Sequence, residues 1–360
     1  MMRFHAAEYV AMAQNAGICD SFMHNEPRRR WTLQHRVKDG MRATLGVLAV
    51  LLVSCALHWP VPPVQAEELF DAEIRADMLK RKNGLIAHLE TVYNDIFVGK
   101  DGNLLRLTFH WKGYYFQESQ SNLADPDDLP MLYARAVTIA AIYPQDVKRV
   151  LVVGLGGGGI STYLARFLPD ATIDSVELDP GVIDVAKKYF GIRETSKSRF
   201  FDSDGRVFLN RHKEPYDLII VDAFTGSYIP FHLMTKEFYS LVRDRLTPQG
   251  VAAFNILPGT KLYDSNVRTL TTVFNRVDLF HAGGDWGVIV MAPRDPADVE
   301  TLKQKAVAVQ ERYKFRSDVA KLAAEWRIEL PKTLKGDVLT DDFAPVNVYD
   351  SYGRRYKRQP

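Results

Sequence analysis

Cysteine is nearly absent from this chain. There are two in 360 residues, Cys19 and Cys55, and both precede Glu67. The main body therefore has no zinc–thiolate site, no cysteine nucleophile and no internal disulfide. Charge of one sign is also missing. The 46 Lys and Arg nearly cancel 44 Asp and Glu, for a net charge of +2. That excludes a global basic field of the kind that gathers nucleic acid. The short basic run Arg354-Arg355-Tyr356-Lys357-Arg358 reads as a solvated end. There is no internal repeat, no low-complexity segment and no assigned metal ligand. What remains, 46% apolar and 25% charged, is a globular composition with enough chain for one large domain or two smaller ones.

A membrane-length apolar run is lacking too. Residues 43–57 are apolar and uncharged, but fall short of the roughly 20 residues that a span needs. The run suits the core of a signal peptide. Met41-Arg42 stands before it, and Val64-Gln65-Ala66 offers small residues for cleavage ahead of Glu67-Glu68. Met41 then reads as the true start, with residues 1–40 a misassigned extension. Leu52-Val53-Ser54-Cys55 resembles a lipoprotein signal with Cys55 lipidated. An exported periplasmic protein, a lipoprotein and an uncleaved anchor all stay open, beside a cytoplasmic chain with one buried apolar helix.

Four regions follow: an extension with signal or anchor over 1–66, a helix and small β-domain over 67–128, an α/β domain over 129–295, and a helix and tail over 296–360. The 3.6-residue period predicts a helix from Asp71 to Leu89. Short strands are expected over 91–120, with Asp101-Gly102 as a hairpin signal. Leu129–Ile142 and Ala297–Trp326 read as helices. Between them strands are expected at Val150–Val153, Ile173–Glu177, Arg199–Phe201, Leu218–Val221, Val251–Asn255 and Gly287–Met291. Alternation with helices makes this a mostly parallel sheet, with the last strand antiparallel.

The most informative stretch is Val150-Leu-Val-Val-Gly154-Leu-Gly156-Gly157-Gly158-Gly159, followed by Val176-Glu177-Leu178-Asp179. A strand breaks into glycines, a helix follows, and a second strand ends in an acid. Glycines Gly154, Gly156 and Gly158 allow a tight turn and close approach to a ligand. Glu177, roughly 20 residues on, is placed to accept hydrogen bonds from ribose hydroxyls. Asp202 and Asp204 follow the next strand; Asp204 suits an adenine amino group, a helix N-cap before Val207-Phe208-Leu209, or both. Asp222 ends the strand Leu218–Val221 and points at the same crevice, because ligands in open parallel sheets sit at these ends. Asp95, Asp125, Asp127 and Asp128 lie in segments able to fold over it. His232 reads either as a titrating site residue or as a half-buried histidine beside a helix start.

From Val150 to Leu257 these motifs resemble the polyamine aminopropyltransferases, the spermidine synthase family, in a divergent bacterial branch. The carrying residues are the glycine turn, Val176–Asp179, Ser203-Asp204-Gly205-Arg206, Tyr216–Asp222 and Thr235-Lys236-Glu237-Phe238-Tyr239. Tyr93-Asn94-Asp95-Ile96 resembles the family's small β-domain, and Gly283–Met291 its final strand pair. The resemblance implies an α/β fold with a class I methyltransferase-like (Rossmann-like) sheet. It implies aminopropyl transfer from decarboxylated S-adenosylmethionine to a polyamine, with no permanently bound cofactor. It also marks departures. Gly157 stands where the family has an aspartate for the donor's aminopropyl end, Thr225 where it has a second aspartate as base, and Ala134 where it has a glutamine after Tyr133. Asp222 is left as the catalytic candidate, with Gly154, Gly156, Gly158, Glu177 and Asp204 for the nucleoside donor. An S-adenosylmethionine-dependent methyltransferase and a non-catalytic nucleoside or polyamine binder remain alternatives. The expected partners are a nucleoside donor and a polyamine, not nucleic acid; a homodimer and membrane attachment stay open.

Overall fold

The apolar runs that end in glycine or a carboxylate lie side by side in the computed structural model, which describes residues 69–224, 229–258, 261–282 and 287–343. The chain enters through helix α1 (Ala72–Lys80), capped by Asp71, whose side chain accepts from the Glu73 and Ile74 amides. Four antiparallel strands follow in sequential order: β1 (Gly84–Glu90), β2 (Asp95–Asp101), β3 (Leu104–Trp111) and β4 (Tyr114–Asn122). Ile96, Val98, Leu105, Leu107 and Phe109 bury one face of this sheet. The β3–β4 turn places Lys112 and Gly113 both at positive φ, the twist-matched hairpin turn.

Helix α2 (Leu132–Val137) runs on as a tighter turn through Ile142 and leads into the second sheet. Its strands are β5 (Arg149–Val153), β6 (Thr172–Glu177), β7 (Ser198–Asp202), β8 (Tyr216–Val221), β9 (Leu246–Ile256), β10 (Asp278–His281), β11 (Val288–Pro293) and β12 (Arg327–Ile328). The order across the sheet is β12-β10-β11-β9-β8-β5-β6-β7. Strands β5 to β9 pair in parallel, and β10 to β12 are antiparallel. Helices α3 (Gly159–Phe167), α4 (Pro180–Val185), α5 (Gly205–Arg211), α6 (Lys236–Asp244) and α7 (Lys261–Val273) fill the crossovers. Helices α8 (Val299–Tyr313) and α9 (Val319–Glu325) precede β12.

Both faces of the central strands are covered, so β5 and β8 read as near-continuous apolar runs over Val150–Val153 and Leu218–Val221. Val150 and Val152 belong to one core cluster, Leu151 and Val153 to the other. The α/β class, the mostly parallel sheet and the small antiparallel sheet ahead of it are as expected from the sequence. The chain reverses its direction of winding at β5, between β6 and β8, and there the carboxyl ends open a crevice.

Two helices differ from expectation. The helix expected to Leu89 stops at Lys80, and 84–90 becomes β1, paired with β2 from Gly84↔Lys100 to Glu90↔Asp95. Pairing with a neighbouring strand outweighs the local helical period. The long helix expected over 297–326 is broken at Lys314, which takes a left-handed conformation at φ 51, and restarts under an Asp318 cap. The break lets Phe315 turn into the core. Strands β10 and β12 are additions to the expected set. The extension and signal region over 1–66 and Cys19 and Cys55 lie outside the described residues, as do Thr225, Gly283–Trp286 and the basic tail.

Candidate active site

The crevice is built by the glycine turn meeting the end of β8. The Gly154 amide donates to the Val176 carbonyl at 2.8 Å, and the Asp222 amide to the Val153 carbonyl at 2.8 Å. Gly154 sits at φ +98, and a Cβ there would lie 2.1 Å from the Asp222 carbonyl oxygen. Only glycine permits this approach. Gly156 and Gly158 also hold positive φ, and helix α3 begins immediately after them, with no side chain capping its first amides.

Glu177 fastens this turn. Its Oε2 accepts from the Leu155 amide at 2.9 Å and its Oε1 from the Asp179 amide at 3.1 Å. Burial pushes its carboxyl up, against the pull of these two backbone donors. Each carboxylate oxygen can accept more than one hydrogen bond, so bracing the turn does not use up its capacity for a ribose. Asp202 ends β7 directly beside it in register. Asp179 ties the site to the small sheet: its Oδ2 accepts from Thr91 Oγ1 at 2.6 Å and Asn94 Nδ2 at 2.8 Å.

Asp204 proves to be a cap with a second partner. Its Oδ1 accepts from the Val207 amide at 2.9 Å, and its Oδ2 lies 2.7 Å from His232 Nε2. Burial raises its carboxyl, but the His232 and Val207 hydrogen bonds outweigh that and leave it below its usual range. His232 sits in the turn before α6, so the two sequence candidates are partners of each other. Arg206, two residues on, bonds the His232 carbonyl at 3.2 Å and forks onto Asp341 at 2.7 and 2.5 Å. Asp341 also accepts from Thr235 Oγ1 at 2.8 Å. The late Leu339-Thr-Asp-Asp-Phe343 run is therefore pinned beside this corner, with Leu339 fully buried.

At the other corner Asp222 is half-buried. Asn255 Nδ2 donates to its Oδ1 at 2.9 Å, and the Tyr133 hydroxyl also hydrogen-bonds it. Removal from water lifts the Asp222 carboxyl to about 6, although both donors pull it down. Tyr133 is itself pushed well up, first by burial and then by the nearby Asp222 and Glu118 carboxylates. The Glu118 carbonyl stands 3.2 Å from the Tyr133 hydroxyl, whose one proton is shared between the two acceptors. A carboxylate poised near neutrality, between an amide donor and a phenol, can take a proton from an amine.

Four acids that the sequence placed in segments able to fold over the site have partners of their own. Asp95 bonds His88 Nε2 at 2.5 Å and His110 Nδ1 at 3.0 Å on the open face of the small sheet. Asp125 pairs with Arg316 at 2.9 Å, Asp127 with Arg166, and Asp128 with Arg135 at 3.2 Å. Arginines within reach claim them, so the loop is a structural ion-pair network. Among the described residues, His88, Glu90 and Asp95 are the one group whose metal-ligating atoms lie within 4.8 Å; the 2.5 Å His88–Asp95 spacing is that of a hydrogen bond. Gly157 has a physical reason to lack a side chain. A Cβ there would lie 2.7 Å from the buried Phe190 ring and 3.0 Å from Ser119 Oγ.

Asn255 escaped sequence reasoning, though the signal was present: like Asp222, it is a polar residue near the end of an apolar strand. Tyr133 is marked only by resemblance; its contact with Asp222 depends on where α2 crosses the sheet.

Comparison with known proteins gives the setting. Residues 133–257 match the spermine/spermidine synthase domain. The chain is 30% identical over 273 residues to a polyamine aminopropyltransferase of Vibrio vulnificus, covering 73% of this chain and 91% of that protein. With its counterpart from Chromobacterium violaceum the figures are 31% over 226 residues, 61% and 85%. In fold, it is similar to a spermidine synthase from Thermotoga maritima, with a TM-score of 0.55 at 18% identity over 69% of this chain and 85% of that one. A probable spermidine synthase from Corynebacterium glutamicum gives 0.54 at 21% identity, over 69% and 97%.

Proposed function

The chain belongs to the polyamine aminopropyltransferase (spermidine synthase) family, and on that premise we propose that it moves an aminopropyl group from decarboxylated S-adenosylmethionine to a polyamine amine at Asp222. The observation that carries this reading is the group Tyr133–Asp222–Asn255 against Gly154, with the Asp222 carboxyl lifted to about 6.

The adenosine end lies along the glycine turn. Glu177 takes the ribose hydroxyls while bracing the Leu155 and Asp179 amides, and Asp204 faces the adenine corner beside His232. The reacting end lies by Asp222. An acceptor amine attacks only as the free base. Its lone pair forms the new C–N bond while the C–S bond of the sulfonium breaks and its electron pair stays on sulfur. Methylthioadenosine leaves neutral. The nitrogen that forms the bond gives up one proton, which Asp222 accepts; Asn255 and Tyr133 hold that carboxylate in line. Positioning of this kind, with a base of matched pKa, supplies the catalysis.

The polyamine and the decarboxylated donor are the partners of this reading. Export by the 43–66 segment, through a cleaved signal or a lipidated Cys55, is the accompanying proposal for location, resting on the sequence alone. The test is steady-state turnover of full-length protein with decarboxylated S-adenosylmethionine and a series of diamines and triamines, read by mass spectrometry. Aminopropylated product is expected, and none with S-adenosylmethionine as donor. Methylated product from S-adenosylmethionine alone would replace this reading with a methyltransferase.

A further inference from the structure

Strand β4 carries an irregularity that bears on the amine end of the crevice. Its partners on β3 run in order from Leu104↔Asn122 to Leu107↔Ser119, then jump to Thr108↔Gln117. Glu118 is the extra residue that the register skips. A bulge of this type re-aims a side chain, and bulges concentrate beside functional sites. Here it breaks the alternation so that Glu118 and Ser119 both leave the open face. Ser119 is buried with its Oγ 3.0 Å from where a Gly157 Cβ would stand. The Oε1 of Glu118 is buried too, and its carbonyl accepts from Tyr133. The bulged residue thus stands between the glycine turn and the phenol that touches Asp222.

Both positions where the family resemblance leads one to expect an aspartate, Gly157 and Thr225, lack a carboxylate. A substrate alkylammonium still needs a counter-charge once it leaves water, because an uncompensated buried charge is strongly unfavourable. Resting on the aminopropyl-transfer reading, we infer that Glu118, delivered by the β4 bulge, is the carboxylate that binds a primary alkylammonium in the crevice. The field that its carboxylate exerts on the Tyr133 phenol is consistent with that placement. The ammonium belongs either to the acceptor polyamine or to the aminopropyl end of the donor; the chemistry is the same, and kinetics separates them.

The experiment compares wild type with Glu118→Gln and Glu118→Asp. Glutamine cannot supply the charge to an ammonium, so it raises the Michaelis constant of the substrate held there by roughly ten- to a hundredfold. The rise is expected for one substrate, putrescine or the donor, and not for both, and aspartate restores part of it. A rise confined to putrescine assigns Glu118 to the acceptor; one confined to the donor assigns it to the aminopropyl end. Affinity for methylthioadenosine, which carries no ammonium, stays unchanged, and the thermal midpoint does not fall. Turnover by wild type with neither constant moved in Glu118→Gln overturns the inference and leaves the proposed reaction standing. No turnover by wild type overturns the reaction. In that case, calorimetry of putrescine into protein saturated with methylthioadenosine still decides Glu118, whose role fails if the glutamine variant binds putrescine as wild type does.

Discussion

Replacing Asp222 with Asn should stabilise the protein while disabling it, and the two effects have separate magnitudes. The folded carboxyl sits at about 6, up from its ordinary 3.8, because the fold removes it from water. Below about pH 4 both folded and unfolded chains hold the proton, and the site costs nothing. As pH rises from about 4 to about 6 the unfolded chain releases its proton first, so the charged form counts against the fold. By pH 7.5 that penalty is at most about 3 kcal/mol. Asparagine fits the same partners. Its carbonyl accepts from Asn255 Nδ2, its amide donates to the Tyr133 oxygen, and the Tyr133 proton turns to the Glu118 carbonyl already 3.2 Å away. Asp222→Asn should therefore raise the thermal midpoint at pH 7.5 by on the order of 5 °C, with the gain vanishing toward pH 4. Turnover should fall by about 10²–10⁴-fold through loss of the base. Calorimetric melts across pH 4–8, with initial rates on the same preparations, read both. A variant less stable than wild type at pH 7.5, or one with full activity, would refute the reasoning.

Three further outcomes are expected. Glu177→Ala should weaken methylthioadenosine binding by about ten- to a hundredfold and lower the melting midpoint by several degrees, because the glycine turn loses the acceptor for the Leu155 and Asp179 amides; calorimetric titration and a melt give both. Gly157→Asp, which would supply the aspartate that the family resemblance leads one to expect, should instead cost about 1–3 kcal/mol of stability in urea, since its Cβ would lie 2.7 Å from the Phe190 ring. Intact-mass analysis of native protein should find the chain beginning at Glu67, or at a lipidated Cys55, whereas a product retaining residues 43–66 without lipid would remove the export proposal.

How much of this was legible in the sequence follows from what each feature depends on. Strands β5 and β8 could be read because burial on both faces makes Val150–Val153 and Leu218–Val221 unbroken apolar runs, and the strand tips announced Gly154, Glu177 and Asp222. Strand β1 could not: Leu85 to Glu90 carries good helix formers, and only pairing with β2 makes it a strand. The single long C-terminal helix failed at Lys314, where nothing in the local period signals a left-handed residue. Asp125, Asp127 and Asp128 looked available because their arginine partners, Arg316, Arg166 and Arg135, come from other elements. Asp204 and His232 were each visible and their pairing was not. Glu118 was invisible altogether, since a bulge is a property of two strands in register rather than of one.

The most direct measurement is a single-turnover reaction with enzyme in excess over decarboxylated S-adenosylmethionine, in the presence of putrescine, with both products quantified at each time point. Methylthioadenosine and spermidine should appear together in equal amounts, with a rate that collapses in Asp222→Asn. Methylthioadenosine without spermidine, or an equal rate in Asp222→Asn, would contradict aminopropyl transfer at Asp222.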